Sequence, residues 1–287
     1  GLITPPQSVE AQAYQALVLG VRDYVTKNRF PGVIIGLSGG VDSALVLAIA
    51  VDALGADKVR TVMMASRYTA DISWIDAREM AQNLGVQYDE IPISGPVDAL
   101  EASLAEQFKG LNVDATEENI QARVRGTLLM ALSNKTGRLV LTTGNKSEMA
   151  VGYCTLYGDM AGGFAVIKDI AKTLVYRLCA YRNSIKPIIP ERILTRAPSA
   201  ELRPDQKDQD SLPSYEVLDG IVERYMEQNQ SIAQIIAAGF DAESVEKVTR
   251  LIKLNEYKRR QAPPGVRVTT RAFGRDWRYP ITSQFRA

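Results

Sequence analysis

A chain of 287 residues that is 46% hydrophobic and 23% charged has an ordinary globular composition and is long enough for one large α/β domain or two small ones of about 150 residues. Its 34 Lys plus Arg against 33 Asp plus Glu leave a net charge of +1, which argues against a surface built throughout for nucleic acid or an anionic membrane; no apolar run approaches the roughly 20 residues of a bilayer span and no leader-like segment opens the sequence, so the expected location is cytoplasmic. The absence of histidine excludes Ser-His-Asp chemistry and imidazole metal centres, and two cysteines, Cys154 and Cys179, with no CxxC spacing exclude a disulfide scaffold or a cysteine metal site.

The first residue is Gly1 rather than Met, which fits a processed chain or a piece of a longer polypeptide. Tyr14, Leu17, Val18, Val21 and Val25 recur at helical spacing and predict an amphipathic helix over 8–27 with Ser8 as its cap. The β-branched run 33–37 predicts a strand, and 41–54, apolar nearly all round, predicts a helix buried against a sheet. The rhythm repeats with strands over 60–65 and 87–93 and helices over 71–84 and 97–108. A long helix over 116–136 stopped by Gly137 and a strand over 138–142 follow. Repeated βα units imply a parallel sheet. Beyond the glycine-rich stretch 158–163, a helix is expected over 172–185. Residues 187–213, with five prolines and many charges, read as a long surface loop fit to act as a lid, and two or three helices follow, the last over 242–259. The chain therefore divides into an α/β core over 1–186 and a lid loop plus helical C-terminal region over 187–287.

The first βα turn, Gly36-Leu37-Ser38-Gly39-Gly40-Val41-Asp42-Ser43, lies where a parallel sheet presents its ligand crevice. Adjacent glycines bring backbone amides close to a ligand, and Ser38 and Ser43 add hydroxyls at a positive helix N-terminus, together a cradle for phosphate. The turn is neither Walker A nor the dinucleotide GxGxxG pattern. Asp42 would repel bound phosphate unless a cation such as Mg²⁺ lay between. Taken singly, these features also fit a Gly-Gly turn with a capping carboxylate.

The full string SGGVDS resembles the pyrophosphate loop of the N-type ATP pyrophosphatases, which adenylate a substrate and release pyrophosphate. Four further strings follow in order: Leu141-Thr142-Thr143-Gly144-Asn145-Lys146-Ser147-Glu148, Tyr157-Gly158-Asp159-Met160, Lys172-Thr173 and Pro198-Ser199-Ala200-Glu201-Leu202. With them, nearly the whole chain resembles the synthetase domain of the NAD synthetases, more closely the glutamine-dependent subgroup than the ammonia-dependent one. The resemblance implies a doubly wound parallel sheet of the adenine nucleotide alpha hydrolase-like kind with a helical C-terminal appendage. It implies ATP-dependent amidation of deamido-NAD, with ATP as co-substrate, Mg²⁺ as cofactor, AMP and pyrophosphate as products, and ammonia from solution or from a glutaminase domain or subunit. It implies a homodimer with the deamido-NAD site near the subunit interface.

On matching positions, Gly36, Leu37, Ser38, Gly39, Gly40, Val41, Asp42 and Ser43 would hold the ATP phosphates, with Thr143, Lys172 and Ser199 as further ATP contacts. Asn119, Arg123, Glu148 and Lys258 would contact deamido-NAD, Asp42 and Glu148 would share Mg²⁺, and Asp42, Glu148 and Lys172 would carry the chemistry. One departure stands out: the ammonia-dependent enzymes have a lysine before the Tyr-Gly-Asp string, where this chain has Leu156.

Singly, Thr143 and Glu148 also fit helix caps, Arg123 and Lys172 surface charges, and Lys258 a solvated helix end. Both cysteines fit buried, unreactive thiols. From Lys258 on there are eight basic residues against one acid, Asp276, which suggests RNA. Interleaved Pro263, Pro264, Phe273, Trp277 and Tyr279 suggest equally a packed tail that pairs with acidic surface or lines a phosphate site. Two rival functions follow from the same turn: a tRNA-modifying pyrophosphatase, and a nucleotide-binding module without turnover. The distance between the cysteines disfavours thiolation, and a pure binder has no need of a second carboxylate beside a triphosphate.

Overall fold

The structure, a computed structural model, describes residues 7–204, 206 and 208–283. The chain opens with α1 (Val9–Lys27), where the Ser8 side chain accepts the Ala11 N–H as expected. Strands β1 (Val33–Gly36), β2 (Val59–Met63), β3 (Gln87–Glu90), β4 (Leu139–Thr142) and β5 (Phe164–Ala165) form one parallel sheet in the order β3-β2-β1-β4-β5. Alternate residues of a strand face opposite sides, so Val33 and Ile35 join one core and Ile34 the other.

The first core is covered by α1, α2 (Val41–Leu54), α3 (Asp71–Leu84) and α7 (Lys172–Ile185). Helix α2 is buried nearly all round, which is why its sequence shows no polar face. The opposite face carries α4 (Ser94–Leu104) and α5 (Ala115–Thr136), the latter opened by an Asp114–Glu117 capping box and closed by left-handed Gly137.

A separate apolar cluster lies in the C-terminal half. It joins the six-residue helix α6 (Lys146–Val151) to α9 (Tyr215–Val222), α10 (Ile232–Ala237) and α11 (Ala242–Leu254), with Phe273 inserted and Trp277 and Tyr279 packed alongside. The expected last helix over 242–259 is broken at Asn255, which caps α11 and begins α12 (Glu256–Arg259). The Asn255 amide donates to the carbonyls of Leu251 and Val151, both 2.9 Å, so this break ties the appendage to α6.

Residues 187–213 are not the simple surface loop that their prolines suggest. Ile188, Ile189 and Ile193 are buried in the first core, α8 (Glu191–Thr195) forms within the segment, and Arg192 pairs with Asp76 and Glu79 of α3. The Asn183 side chain accepts the N–H groups of Ile188 and Ile189, fixing the chain as it leaves α7.

Most of the described basic residues of the tail are engaged in internal bonds. Arg259, 3% exposed, donates to the carbonyls of Met149 and Ala150 and lies over the rings of Phe273 and Tyr279. Arg271 bonds Met226 O and covers Trp277, while Arg260 pairs with Glu256 and Arg267 with Asp276. This is the packed-tail alternative, with main-chain carbonyls as partners more often than acids; Arg286 lies outside the described residues. Among the described residues no helix is long and apolar enough to cross a membrane.

Candidate functional site

Strand order reverses between β1 and β4, whose connections leave the sheet in opposite directions, and a crevice opens beyond their carboxyl ends. Both sequence-predicted turns sit there. After β1, the Leu37 N–H still bonds Val62 O at 3.0 Å, and the chain then turns through Ser38, Gly39 and Gly40 into α2. Gly39 has φ +78°, and a Cβ on it would lie 2.4 Å from Ser73 O of α3. Gly40 has φ −92° and needs no such freedom, so only one of the two glycines is required by backbone angle.

The hydroxyls bond within the turn itself. Ser43 Oγ donates to Gly40 O at 3.0 Å and stands 3.1 Å from Ser38 Oγ, which accepts the Gly40 N–H at 3.2 Å. Both brace the turn. Gly40 gives α2 no side-chain cap, which leaves the first amides of the helix for an anion. Gly39→Ala should therefore lower Tm by several degrees and abolish measurable ATP binding, because left-handed strain and the Ser73 clash deform the turn, whereas Gly40→Ala should be milder. Thermal melts and ATP titration check this, and wild-type behaviour of Gly39→Ala would contradict the geometry.

After β4, Asn145 caps α6. Its side chain accepts the Glu148 N–H at 3.0 Å while Glu148 Oε2 accepts the Asn145 N–H at 3.2 Å, a capping box that fixes both. The Asn145 amide also donates to Asp42 Oδ1 at 3.0 Å. Lys172, 2% exposed, is bonded to Asp42 Oδ2 and lies 3.7 Å from Glu148 Oε1, with the Tyr215 ring 5.2 Å from its nitrogen. Asp42, Glu148 and Lys172 thus form one cluster across α2, α6 and α7, and Lys172 is no surface lysine. Burial opposes the charge on Lys172, but the Asp42 and Glu148 carboxylates outweigh it and hold its pKa above the ordinary range. Burial first, and then Asp42, push the Glu148 carboxyl up to about 8.

Two hollows adjoin here. One, about 270 Å³, is lined by Gly36, Leu37, Met64, Gly126 and Leu129 among others. The second, about 170 Å³, contains Val41, Asp42, Glu148 and Lys172. Ser38, Gly40, Thr143, Asp159, Arg196 and Ser199 line both, so the first hollow, apolar along β1 and α5 but bordered by Arg125 and Glu201, runs into the charged one. Ser199 Oγ donates to Gln206 O at 2.6 Å and so shapes the segment over the cleft.

Asn119, Arg123 and Lys258 do not line these hollows. They converge instead on the segment 152–156: Asn119 accepts the Thr155 hydroxyl at 2.7 Å, Arg123 donates to Leu156 O at 3.3 Å, and Lys258 donates to the carbonyls of Gly152 and Cys154, each at 2.8 Å. Lys258 is therefore a strap rather than a solvated helix end.

Four charged residues of the cleft carried no role in the sequence reading. Arg125 is pulled down to about 10 by burial, against Glu201 and Asp159, and donates to Met64 O at 3.0 Å. Asp159 is pushed up to about 6 by burial while accepting the Thr155 N–H at 2.8 Å. Asp208, buried, accepts the Tyr215 hydroxyl at 2.8 Å, and Arg196 overhangs the glycine turn. Asp159 stands in a quoted string; the other three carry no motif.

Against known proteins, the NAD synthase family model matches residues 13–262. The chain is 59% identical over 284 residues to a glutamine-dependent NAD(+) synthetase of Acinetobacter baylyi, an alignment covering 98% of this chain and 52% of that protein. Among solved structures it is 54% identical, with a TM-score of 0.68, to the glutamine-dependent NAD+ synthetase of Acinetobacter baumannii in complex with adenosine diphosphate, covering 98% of this chain and 51% of that one. The NMN synthetase of Francisella tularensis has a TM-score of 0.75 at 26% identity, covering 88% of this chain and 96% of that one. The chain thus spans about half the length of the curated relatives it matches.

Proposed function

The chain belongs to the NAD synthase family, and from that premise we propose that it converts deamido-NAD to NAD by ATP-dependent amidation. The observation that carries this reading is the joined cleft, a hollow of about 270 Å³ opening onto one where Asp42, Glu148 and Lys172 meet the uncapped end of α2. An oxygen of the nicotinate carboxylate attacks the α-phosphate of ATP, the bond to the β-phosphate breaks, and pyrophosphate leaves with the electron pair. The ammonia nitrogen then attacks the carbonyl carbon of the mixed anhydride, the C–O bond to AMP breaks, and loss of a proton leaves the amide. The first half needs positioning and charge neutralisation more than proton transfer, which suits a chain with no histidine.

In this reading the α2 amides hold the phosphates, and Lys172, kept charged by its two carboxylates, faces the developing negative charge. Asp42 and Glu148 offer hard oxygen donors on one side of the hollow, which fits Mg²⁺. No larger metal-ligating cluster exists among the described residues, in keeping with an ion that takes one or two carboxylates together with substrate phosphates. Bound there, Mg²⁺ would neutralise phosphate charge. The group around residues 152–156 is the candidate for the deamido-NAD side. Its member Arg123 lies exposed on α5, where the partner of a homodimer would complete it. Cytoplasmic location and supply of ammonia by a glutaminase belong to the same reading.

The purified chain should release pyrophosphate and AMP from ATP only when deamido-NAD and an ammonium salt are present. The turn has no lysine of the kind that attends γ-phosphate transfer, so ADP should not form. Chromatography of the adenine nucleotides decides it, and stoichiometric ADP would overturn the reading. Running nicotinate mononucleotide beside deamido-NAD separates this assignment from the activity named for the Francisella structure.

A further inference from the structure

Within the proposed reading, the structure assigns to Arg196 the capture of the pyrophosphate portion of ATP. Four carboxylates, Asp42, Glu148, Asp159 and Asp208, line the charged hollow against two cations, Lys172 and Arg196. Lys172 already serves Asp42 and Glu148. A triphosphate carries several negative charges into this acidic place, and the glycine turn supplies no side-chain cation.

Arg196 follows α8 and reaches the turn from above, its Nη2–H donating to Gly39 O at 3.4 Å. Its Nη1 is buried and has no hydrogen-bond partner, because the nearest acid, Glu201 Oε1, is 3.9 Å away and accepts the Ser73 hydroxyl at 2.6 Å. An unsatisfied guanidinium donor in a cleft wall is costly to the empty protein, and a phosphate oxygen removes that cost. Lys172 is tied to Asp42 inside α2, whereas Arg196 is tied to Gly39 before the helix begins, so a triphosphate lying along the turn meets the two cations at different phosphates. The planar fork of arginine can grip two oxygens of the distal pair and follow them as they depart, which a lysine cannot do.

The test is calorimetric titration of the purified chain with inorganic pyrophosphate and, separately, AMP, with no deamido-NAD present. Arg196→Ala should weaken pyrophosphate binding about tenfold or more while leaving AMP within about twofold, and Arg196→Lys should recover only part of the loss. Glu201→Gln keeps an acceptor for Ser73 and removes the competing charge, so it should tighten pyrophosphate; a residue that only braces the segment would show no such gain. Arg196→Ala with wild-type pyrophosphate affinity overturns the assignment. Equal losses for pyrophosphate and AMP, or a wild-type chain that binds no pyrophosphate, do the same. Failure of the wild type to make NAD bears on the parent reading alone, since these titrations need no turnover.

Discussion

Glu148→Gln is expected to lower kcat for NAD formation by about 100-fold or more while leaving Tm unchanged within about 2 °C. The two halves of this expectation come from different atoms of the same side chain. Glu148 Oε2 accepts the Asn145 N–H, and a glutamine oxygen can do so equally, which preserves the capping box that starts α6. The negative charge strengthens that bond, but the cap needs only an acceptor oxygen. Burial and the neighbouring Asp42 disfavour the charge and raise the carboxyl's pKa, while Lys172 at 3.7 Å opposes them, so on balance glutamine removes a charge that its surroundings disfavour. The carboxyl faces the charged hollow, where in the proposed reading a cation arrives with the substrate phosphates. The Mg²⁺ concentration for half-maximal rate should rise in the variant. Asp42→Asn should lose activity comparably but also some stability, since it deprives buried Lys172 of its nearest partner. Full Mg²⁺-dependent activity in either variant would remove that residue from the metal site.

What the sequence made legible follows from length scale. The turn over 36–43 could be read because a β-branched run, two glycines and an apolar helix succeed one another within a dozen residues, and local chemistry alone dictates that order. The motifs after β4 and at Lys172 pointed to residues that the fold does unite: Asp42 and Lys172 are 130 positions apart and bonded. Short elements escaped. Two residues of β5 and six of α6 are too few to show a period, and each is held by tertiary partners, as when the Ala165 N–H donates to Pro264 O at 2.8 Å. The segment 187–213 reads as a surface loop because proline and charge outweigh three isoleucines, and only the packed structure shows those isoleucines entering the core.

Composition misleads most where side chains bond to the backbone. Lys258, Arg259 and Arg271 donate to carbonyl oxygens of distant segments, a use that leaves no complementary acid in the sequence to signal it. Arg196 is the functional counterpart: its contact lies 157 positions away on a glycine carbonyl, so no pattern around it distinguishes it from an ordinary loop arginine.

With glutamine as the only nitrogen source, the 287-residue chain is expected to form no NAD above background, whereas an ammonium salt should support turnover. Hydrolysis of the glutamine amide by a covalent route needs an activated nucleophile, in practice a thiolate beside a base. The sequence offers two cysteines and no histidine. Cys179 is buried and bonded only weakly, to Val41 O at 3.9 Å, and burial raises its pKa. Cys154 is half-buried rather than fully so, but burial, with Asp159 adding to it, pushes its thiol up to about 12. Its backbone carbonyl accepts from Lys258, which places it in the strap around 152–156, where the neighbouring Asp159 carboxyl disfavours the thiolate. Neither thiol is therefore readily ionised near neutral pH, so in the proposed reading the nitrogen arrives as ammonia and not from glutamine cleaved on this chain. The measurement is NAD formation and glutamate release with each nitrogen source, using a preparation shown free of contaminating glutaminase. Equal rates with glutamine, abolished by Cys154→Ser, would show that the thiol is activated in a way this geometry does not provide.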